Sequence, residues 1–152
     1  AAAAAAALAE LAPDAYRPFN LVVADPRGAY WIRHGGAEIA VHPIAPGLHM
    51  LCGTELDDPA HPRIAAHLPG FAAAAVPDPE GGEWAEWQVL LASRDDPAGR
   101  GPEAAMRQVS ADGLCTRSSA LIALPAYPGF SGRPIWLHAE PGPDGETFRP
   151  VL

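Results

Sequence analysis

The chain has 152 residues and a net charge of −8, from 10 basic residues, all arginine, and 18 acidic ones. This length suits one domain, residues 1–152, with its own core, and the acidic balance excludes nucleic acid and anionic membrane surfaces as expected partners. Two cysteines and no apolar run long enough for a membrane span favour a cytoplasmic protein, and the Ala-, Arg-, Pro- and Gly-rich composition is typical of a GC-rich bacterial genome.

The first third of the chain predicts a helix followed by an antiparallel meander. Residues 1–12 are rich in alanine and have high helix propensity, and Pro13 ends the run. Four short apolar runs follow, separated by turns that contain Pro or Gly, a spacing typical of strands joined by tight turns. The predicted strands lie at residues 19–25, 28–34, 37–44 and 48–54.

The middle of the chain predicts two helices that cover one face of this meander. Apolar residues recur at spacings of three and four over residues 59–77. Asp58 is the expected N-cap, with Pro59 at the first helical position, and Pro69 is expected to kink or end the helix. Residues 83–93 form a second amphipathic helix with Trp84 and Trp87 on its apolar face.

Two further strands are predicted at residues 116–124 and 133–140, and a final edge strand at residues 147–152. Pro150 restricts the last strand to a sheet edge because proline has no N–H to donate. Strands, then helices, then strands indicate an α+β fold with a mainly antiparallel sheet.

The segment Cys-Thr-Arg-Ser-Ser, residues 115–119, concentrates chemically active side chains at the start of a predicted strand. A guanidinium there needs a carboxylate partner or a ligand, so Arg117 is either half of an ion pair or a clamp for an anion or carbonyl group. We expect Arg117 to be at least partly buried, with Ser118 on the opposite strand face. Six scattered histidines lack metal-ligand spacing, so no metal site is expected.

Three segments resemble, in their order and spacing, the C-terminal portion of the NRDE-motif family, also called the transport-and-Golgi-organisation family. The most specific pieces are the Phe19–Asn20 pair, the Pro-Gly before the fourth predicted strand, and Thr-Arg-Ser-Ser at residues 116–119. The matching segments are YRPFNLVVAD from residue 16, PGLHMLCGTELDDPAHPRIAAHLPGF from residue 46 and GLCTRSSALIALP from residue 113.

The resemblance implies a fold similar to N-terminal-nucleophile hydrolases, a four-layer αββα sandwich of which this chain forms the C-terminal part. It also implies that a nucleophilic cysteine and the Asn-Arg-Asp-Glu motif lie upstream, so no catalytic residue is expected in this chain. Where related amide hydrolases have an oxyanion-hole Asn, this chain has Gly53, whose backbone N–H is a partial substitute. The family's later-strand arginine corresponds to Arg117.

Two functions from different classes follow from the resemblance. We expect a non-catalytic protein that binds or traffics a small hydrophobic or anionic ligand of the haem or acyl-lipid class, with no resident cofactor other than haem as a candidate. The alternative is an N-terminal-nucleophile amide or thioester hydrolase. The expected partners are the small molecule and either the upstream part of the same fold or a second copy. The expected ligand-binding residues are Arg117, Ser118, Ser119, Asn20 and Gly53.

Two of the interpretations have alternatives. The Asn20 side chain either contacts a ligand or satisfies backbone groups. Cys52 and Cys115 are either separate thiols that act as small apolar side chains, or a pair that forms a disulfide or shares a soft ligand such as haem iron.

Overall fold

The computed structural model describes residues 1–96, 99–101, 104–108, 113, 115–128, 132–142 and 145–151. The chain forms two compact units: the first comprises Ala1–Asp57 with Pro125–Ser131, and the second comprises Asp58–Leu124 with Gly132–Leu152. Helices and small antiparallel sheets give the α+β class that the sequence predicts. Within the described ranges no helix combines the length and apolarity needed to cross a membrane.

The first unit contains a three-stranded antiparallel sheet in the spatial order β1-β2-β3. Its strands are β1 (Phe19–Asp25), β2 (Gly28–His34) and β3 (Ile39–Ile44). The turn between β1 and β2 is closed by the Asp25 carboxylate, whose Oδ1 accepts hydrogen bonds from the N–H groups of Arg27 (2.8 Å) and Gly28 (3.2 Å). Three of the four predicted strands therefore form, with the predicted turns between them.

Helix α1 (Ala2–Ala9) packs on one face of this sheet. Ile32, in the central strand, is 0% exposed and forms the core with Ala5 and Ile39. The sequence also predicts that helices from residues 59–93 cover the meander; these helices belong to the second unit, and their cover of the sheet stays a prediction. Partly buried apolar side chains surround this core: Leu8, Leu11, Phe19, Val23, Tyr30 and Val41.

The predicted fourth strand over residues 48–54 is wrong. The backbone of this segment bonds to side chains instead of to a neighbouring strand: Asn20 Nδ2 donates to the carbonyls of Cys52 (3.1 Å) and Thr54 (2.9 Å). The Met50 N–H donates to Asp57 Oδ1 (2.7 Å). Because backbone polar groups must find partners, side chains that satisfy them remove the need for a ladder. We refer to residues 45–57 as the 45–57 loop.

In the second unit, helices α2 (Pro62–Ala73) and α3 (Ala85–Ala92) contact each other. The rings of Phe71 and Trp87 meet edge to face, with centroids 5.3 Å apart. Gly70 permits this approach, because a Cβ at that position would lie 3.3 Å from Leu90 Cδ2. The predicted amphipathic packing of the second helix is thus seen at Trp87.

Helix α2 begins later than predicted and does not end at its proline. Its N-cap is His61, whose Nδ1 accepts from the Arg63 N–H (3.3 Å), and Pro62 is the first helical residue. Asp58, the predicted cap, accepts from the Ala60 N–H (2.9 Å) and so forms a local turn. The helix continues through Pro69 to Ala73.

The second unit also contains an antiparallel sheet in the order β4-β5-β8. Its strands are β4 (Ser119–Ala123), β5 (Ile135–Ala139) and β8 (Arg149–Pro150), and a separate pair is formed by β6 (Pro141–Gly142) and β7 (Gly145–Glu146). Strands β4 and β5 are shorter than predicted. Pro150 lies on an edge strand, as its missing N–H requires.

Candidate functional site

Helix α2 fixes the position of residues 104–108 in the second unit. Arg63 and His67 are four residues apart and therefore share a helix face. Arg63 Nε donates to the carbonyl of Ala105 (2.9 Å), and its terminal nitrogen donates to Gln108 Oε1 (3.2 Å). His67, which is buried, donates from Nε2 to the carbonyl of Ala104 (2.8 Å). These bonds attach an irregular segment firmly to a helix.

The same segment is bonded to the residues that precede β4. The Thr116 N–H donates to the Gln108 carbonyl (2.9 Å), and the Gln108 N–H donates to Thr116 Oγ1 (3.0 Å). The Arg107 N–H donates to the Ser93 carbonyl (2.8 Å) at the end of α3. Arg107, only 9% exposed, is thereby held beside the Cys-Thr-Arg-Ser segment.

A cavity of about 470 Å³ opens between these segments and the end of β5, and we call it the arginine pocket. It brings together two of the predicted ligand-binding residues, Arg117 and Ser118. Sequence reasoning missed Arg107, His138 and Glu140; the available signal was the two-residue spacing of His138 and Glu140, which places both on one strand face. The lining residues are Arg107, Cys115, Thr116, Arg117, Ser118, His138 and Glu140.

The predicted environment of Arg117 is partly wrong. Arg117 is exposed, and it lines the pocket together with Ser118 instead of facing away from it. Both residues precede β4, so strand alternation does not apply to them. Ser119 is the first residue of β4, opposite Ala139, and is not among the lining residues. Within the described ranges, Arg117 belongs to none of the ion pairs, so the carboxylate partner considered for it is not found there.

A second cavity, of about 380 Å³, lies in the first unit, and we call it the Asn20 pocket. It brings the predicted residues Asn20 and Gly53 together. Besides donating to two carbonyls of the 45–57 loop, Asn20 accepts from Trp31 Nε1 at its Oδ1 (2.9 Å). Its amide thus satisfies backbone groups, the second of the two roles that the sequence indicates. The lining residues are Pro18, Phe19, Asn20, Arg33, His34, Gly35, Cys52 and Gly53.

The walls of the Asn20 pocket contain one buried histidine and one exposed ion pair. His34 Nδ1 lies 3.2 Å from both the Gly36 nitrogen and the Glu38 carbonyl oxygen, and its Nε2 lies 3.2 Å from the Tyr16 carbonyl oxygen. Arg33 pairs with Glu55 of the 45–57 loop (2.5 Å), and both side chains are well exposed, so water weakens this attraction. The contacts of His34 therefore stabilise the pocket wall more than the Arg33–Glu55 ion pair does.

The 45–57 loop is closed by a contact between His49 and Asp57. Asp57 Oδ2 lies 2.6 Å from His49 Nδ1, and the Ala45 carbonyl lies 3.0 Å from His49 Nε2. Since both ring nitrogens face acceptors, the hydrogen bond with Asp57 and the Ala45 carbonyl raise the pKa of His49 against a smaller opposing effect of burial. Burial raises the pKa of Asp57, but the hydrogen bonds from His49 and Met50 outweigh it, and the net pKa is lowered.

These two shifts predict that the 45–57 loop is most stable at intermediate pH. The pKa of His49 is raised in the folded chain, so its contribution is complete below the ordinary value of 6.5 and is lost as pH rises through the folded pKa. The pKa of Asp57 is lowered, so its contribution is complete above the ordinary value of 3.8 and is lost as pH falls through the folded pKa. We expect hydrogen exchange of the Met50 and Asp57 amides, corrected for its intrinsic rate, to be slowest between these limits.

In the variant His49→Gln, the loss of protection above the ordinary histidine pKa should disappear. His42→Gln is the matched control, because His42 is an exposed histidine on β3 whose ring packs on Trp31. Identical pH profiles for the wild type and His49→Gln would contradict the prediction.

Neither cysteine is part of a disulfide, so the disulfide considered from the sequence is not present. Cys52 lines the Asn20 pocket and Cys115 lines the arginine pocket. In the part of the chain that the structure describes, no three metal-ligating side chains converge.

Comparisons of the chain with protein-family models, with curated proteins and with solved structures find no match.

Proposed function

We propose that this protein binds a small anionic ligand without catalysing a reaction, and that the arginine pocket is the ligand site. One observation carries the proposal: Arg107 and Arg117 line a single cavity in a chain whose net charge is −8. Cationic groups gathered in one concave place on an acidic protein are a specific attraction for an anion, because the rest of the surface repels it.

The chemistry of the lining suits a carboxylate or phosphate. A guanidinium presents a planar set of donors that matches two oxygens at once, and Ser118 adds a hydroxyl donor. The cavity volume also falls in the range of about 300–1,000 Å³ that is typical of small-molecule sites. Arg117 is exposed, so it is accessible to an incoming ligand.

The resemblance to the NRDE-motif family supports the same class of function and narrows the ligand. We propose a haem- or acyl-lipid-class molecule whose acidic group lies at Arg117 and Ser118. As a separate proposal from the resemblance, Asn20 and Gly53 are ligand-binding residues of the Asn20 pocket in the first unit. On the same basis we propose that the small sheets and helices belong to an αββα sandwich.

Replacing Arg117 with alanine is expected to weaken anion binding by about tenfold or more, because a hydrogen bond to a charged group contributes about 1.5–3 kcal/mol. Inorganic phosphate and dodecanoate are the probes, titrated calorimetrically at low ionic strength. Arg133→Ala is the matched control, since Arg133 is exposed, lies in the second unit and does not line the pocket. Equal affinities for the wild type and Arg117→Ala would contradict the proposed site.

The alternative is an N-terminal-nucleophile amide or thioester hydrolase. The observation in its favour is that Asn20, Cys52 and Gly53 line one cavity. The resemblance matches Gly53 to the oxyanion-hole Asn of related hydrolases. Its nucleophile would be a cysteine upstream of this chain. Sequencing the mature full-length protein tests it: an N-terminal cysteine followed by a strand supports the hydrolase, and any other first residue excludes this mechanism.

A further inference from the structure

We propose that the arginine pocket takes a zwitterion, a small molecule of the amino-acid class that carries a carboxylate at one end and an ammonium group at the other. This inference rests on the proposed anion site, names an amino acid in place of the haem- or acyl-lipid-class ligand suggested by the resemblance, and adds Glu140 as the group that recognises the cationic end.

The observation behind it is that opposite charges line one cavity without neutralising each other. Arg117 and Glu140 both line the arginine pocket, yet neither belongs to any ion pair formed between described residues. Two opposite charges in one small cavity attract each other, so a pocket that keeps them apart presents two separate poles. A simple anion uses one pole and leaves the carboxylate of Glu140 as a repulsive neighbour.

The two poles come from two chain segments that meet at one end of the β4–β5 ladder. Glu140 follows β5 directly, whereas the guanidinium groups belong to residues 104–108 and 115–118. The latter two segments are bonded to each other through Thr116 and Gln108, and to α2 through Arg63. Ser119 at the start of β4 pairs with Ala139 at the end of β5, so the ladder brings both poles to the same end of this sheet, while the bonds to Gln108 fix the segment that carries Arg117.

The shape of the ligand follows from this division. A carboxylate accepts from the guanidinium of Arg117, and an ammonium group donates to the carboxylate of Glu140, so both ends of an amino acid make charge-assisted hydrogen bonds. His138, in β5, lines the same pocket two residues before Glu140 and adds a ring nitrogen to it. The cavity of about 470 Å³ accommodates a short carbon chain between the two ends.

Matched pairs of ligands test the inference, each pair differing only in an ammonium group: glycine with acetate, γ-aminobutyrate with butyrate, and ε-aminohexanoate with hexanoate. Binding is followed by NMR titration of the intact chain. We expect at least one amino acid to bind about twofold to fivefold more tightly than its partner, which is the factor that a solvent-exposed charge pair contributes.

The variants assign each pole. Glu140→Gln should lower the affinity for the amino acid to that of its partner anion and leave the anion's affinity unchanged or slightly higher. Arg117→Ala should weaken both members of the pair. Glu80→Gln is the control, because Glu80 is an exposed carboxylate of the second unit outside the pocket.

The outcomes separate this inference from the proposed function. Equal affinities within every pair, or amino acids that do not bind while phosphate or dodecanoate does, overturn the zwitterion and leave the anion site in place. If neither these ligands nor phosphate and dodecanoate bind, both proposals fail. A preference for an amino acid that survives Glu140→Gln overturns the role of Glu140.

Discussion

Ile32→Ala is expected to lower the free energy of unfolding by about 2–5 kcal/mol, the range found when a fully buried Ile is truncated to Ala. Ile32 is 0% exposed, lies in the central strand of the first sheet, and packs with Ala5 and Ile39. Truncation removes apolar surface from the core and leaves a cavity that the surrounding strands fill only in part. Urea denaturation followed by far-ultraviolet circular dichroism measures the loss.

Leu21→Ala is the control for this prediction. Leu21 lies directly opposite Ile32 in the register of β1 and β2, on the same face of the sheet, but it is 40% exposed on an edge strand. Truncating Leu21 should lower the free energy of unfolding by about half as much or less, because a partly exposed side chain buries less apolar surface on folding. Equal losses for the two variants would show that Ile32 is not the centre of the core.

Asn20→Ala is expected to lower the free energy of unfolding by about 2–3 kcal/mol, because each unsatisfied buried polar group costs about 1–3 kcal/mol. The substitution removes the acceptor of the Trp31 indole N–H and the donors to Cys52 and Thr54. Trp31 is only 6% exposed, so water has little access to the indole N–H that loses its acceptor. Chemical denaturation of the wild type and variant gives the difference.

A double-mutant cycle separates the indole contribution from that of the loop. Trp31→Phe removes the N–H that Asn20 accepts, so Asn20→Ala should cost less in that background than in the wild type. The loss of unfolding free energy that remains in the Trp31→Phe background comes from the hydrogen bonds between Asn20 and the carbonyls of Cys52 and Thr54. If Asn20→Ala costs the same in both backgrounds, the Trp31 hydrogen bond contributes nothing.

The sequence predicts those parts of the fold that depend on neighbours along the chain. The hairpin at Asp25 and Gly28 follows from Asp-Pro-Arg-Gly, whose side-chain and backbone preferences close a tight turn. The two central helices follow from apolar periodicity, because packing needs one apolar stripe. At the start of α2, N-cap preferences favour Asp58-Pro59, but the helix is capped by His61 with Pro62 as its first residue, so the local rule places the start too early.

The errors lie where a distant side chain decides the backbone. Residues 48–54 look like a strand, but Asn20, some 30 residues earlier, binds their carbonyls. In the arginine pocket, the cluster of reactive side chains at residues 115–118 predicted a site, whereas nothing in the residues around Arg107 indicated that it belongs to one. Its placement depends on bonds from Arg63 and Gln108 to other segments. Side-chain to backbone contacts across such distances leave no periodic trace in a sequence.

Helix α1 shows how little information can orient a helix. Seven of its eight residues are alanine, so rotation about its axis presents the sheet with almost the same surface. Only Ala5 of this run is buried, and Leu8, three residues later, is the one larger side chain inside the helix that packs on the core. The rotational setting of α1 is therefore encoded in a single leucine, assisted by Leu11 just beyond the helix, while most of its alanines are interchangeable.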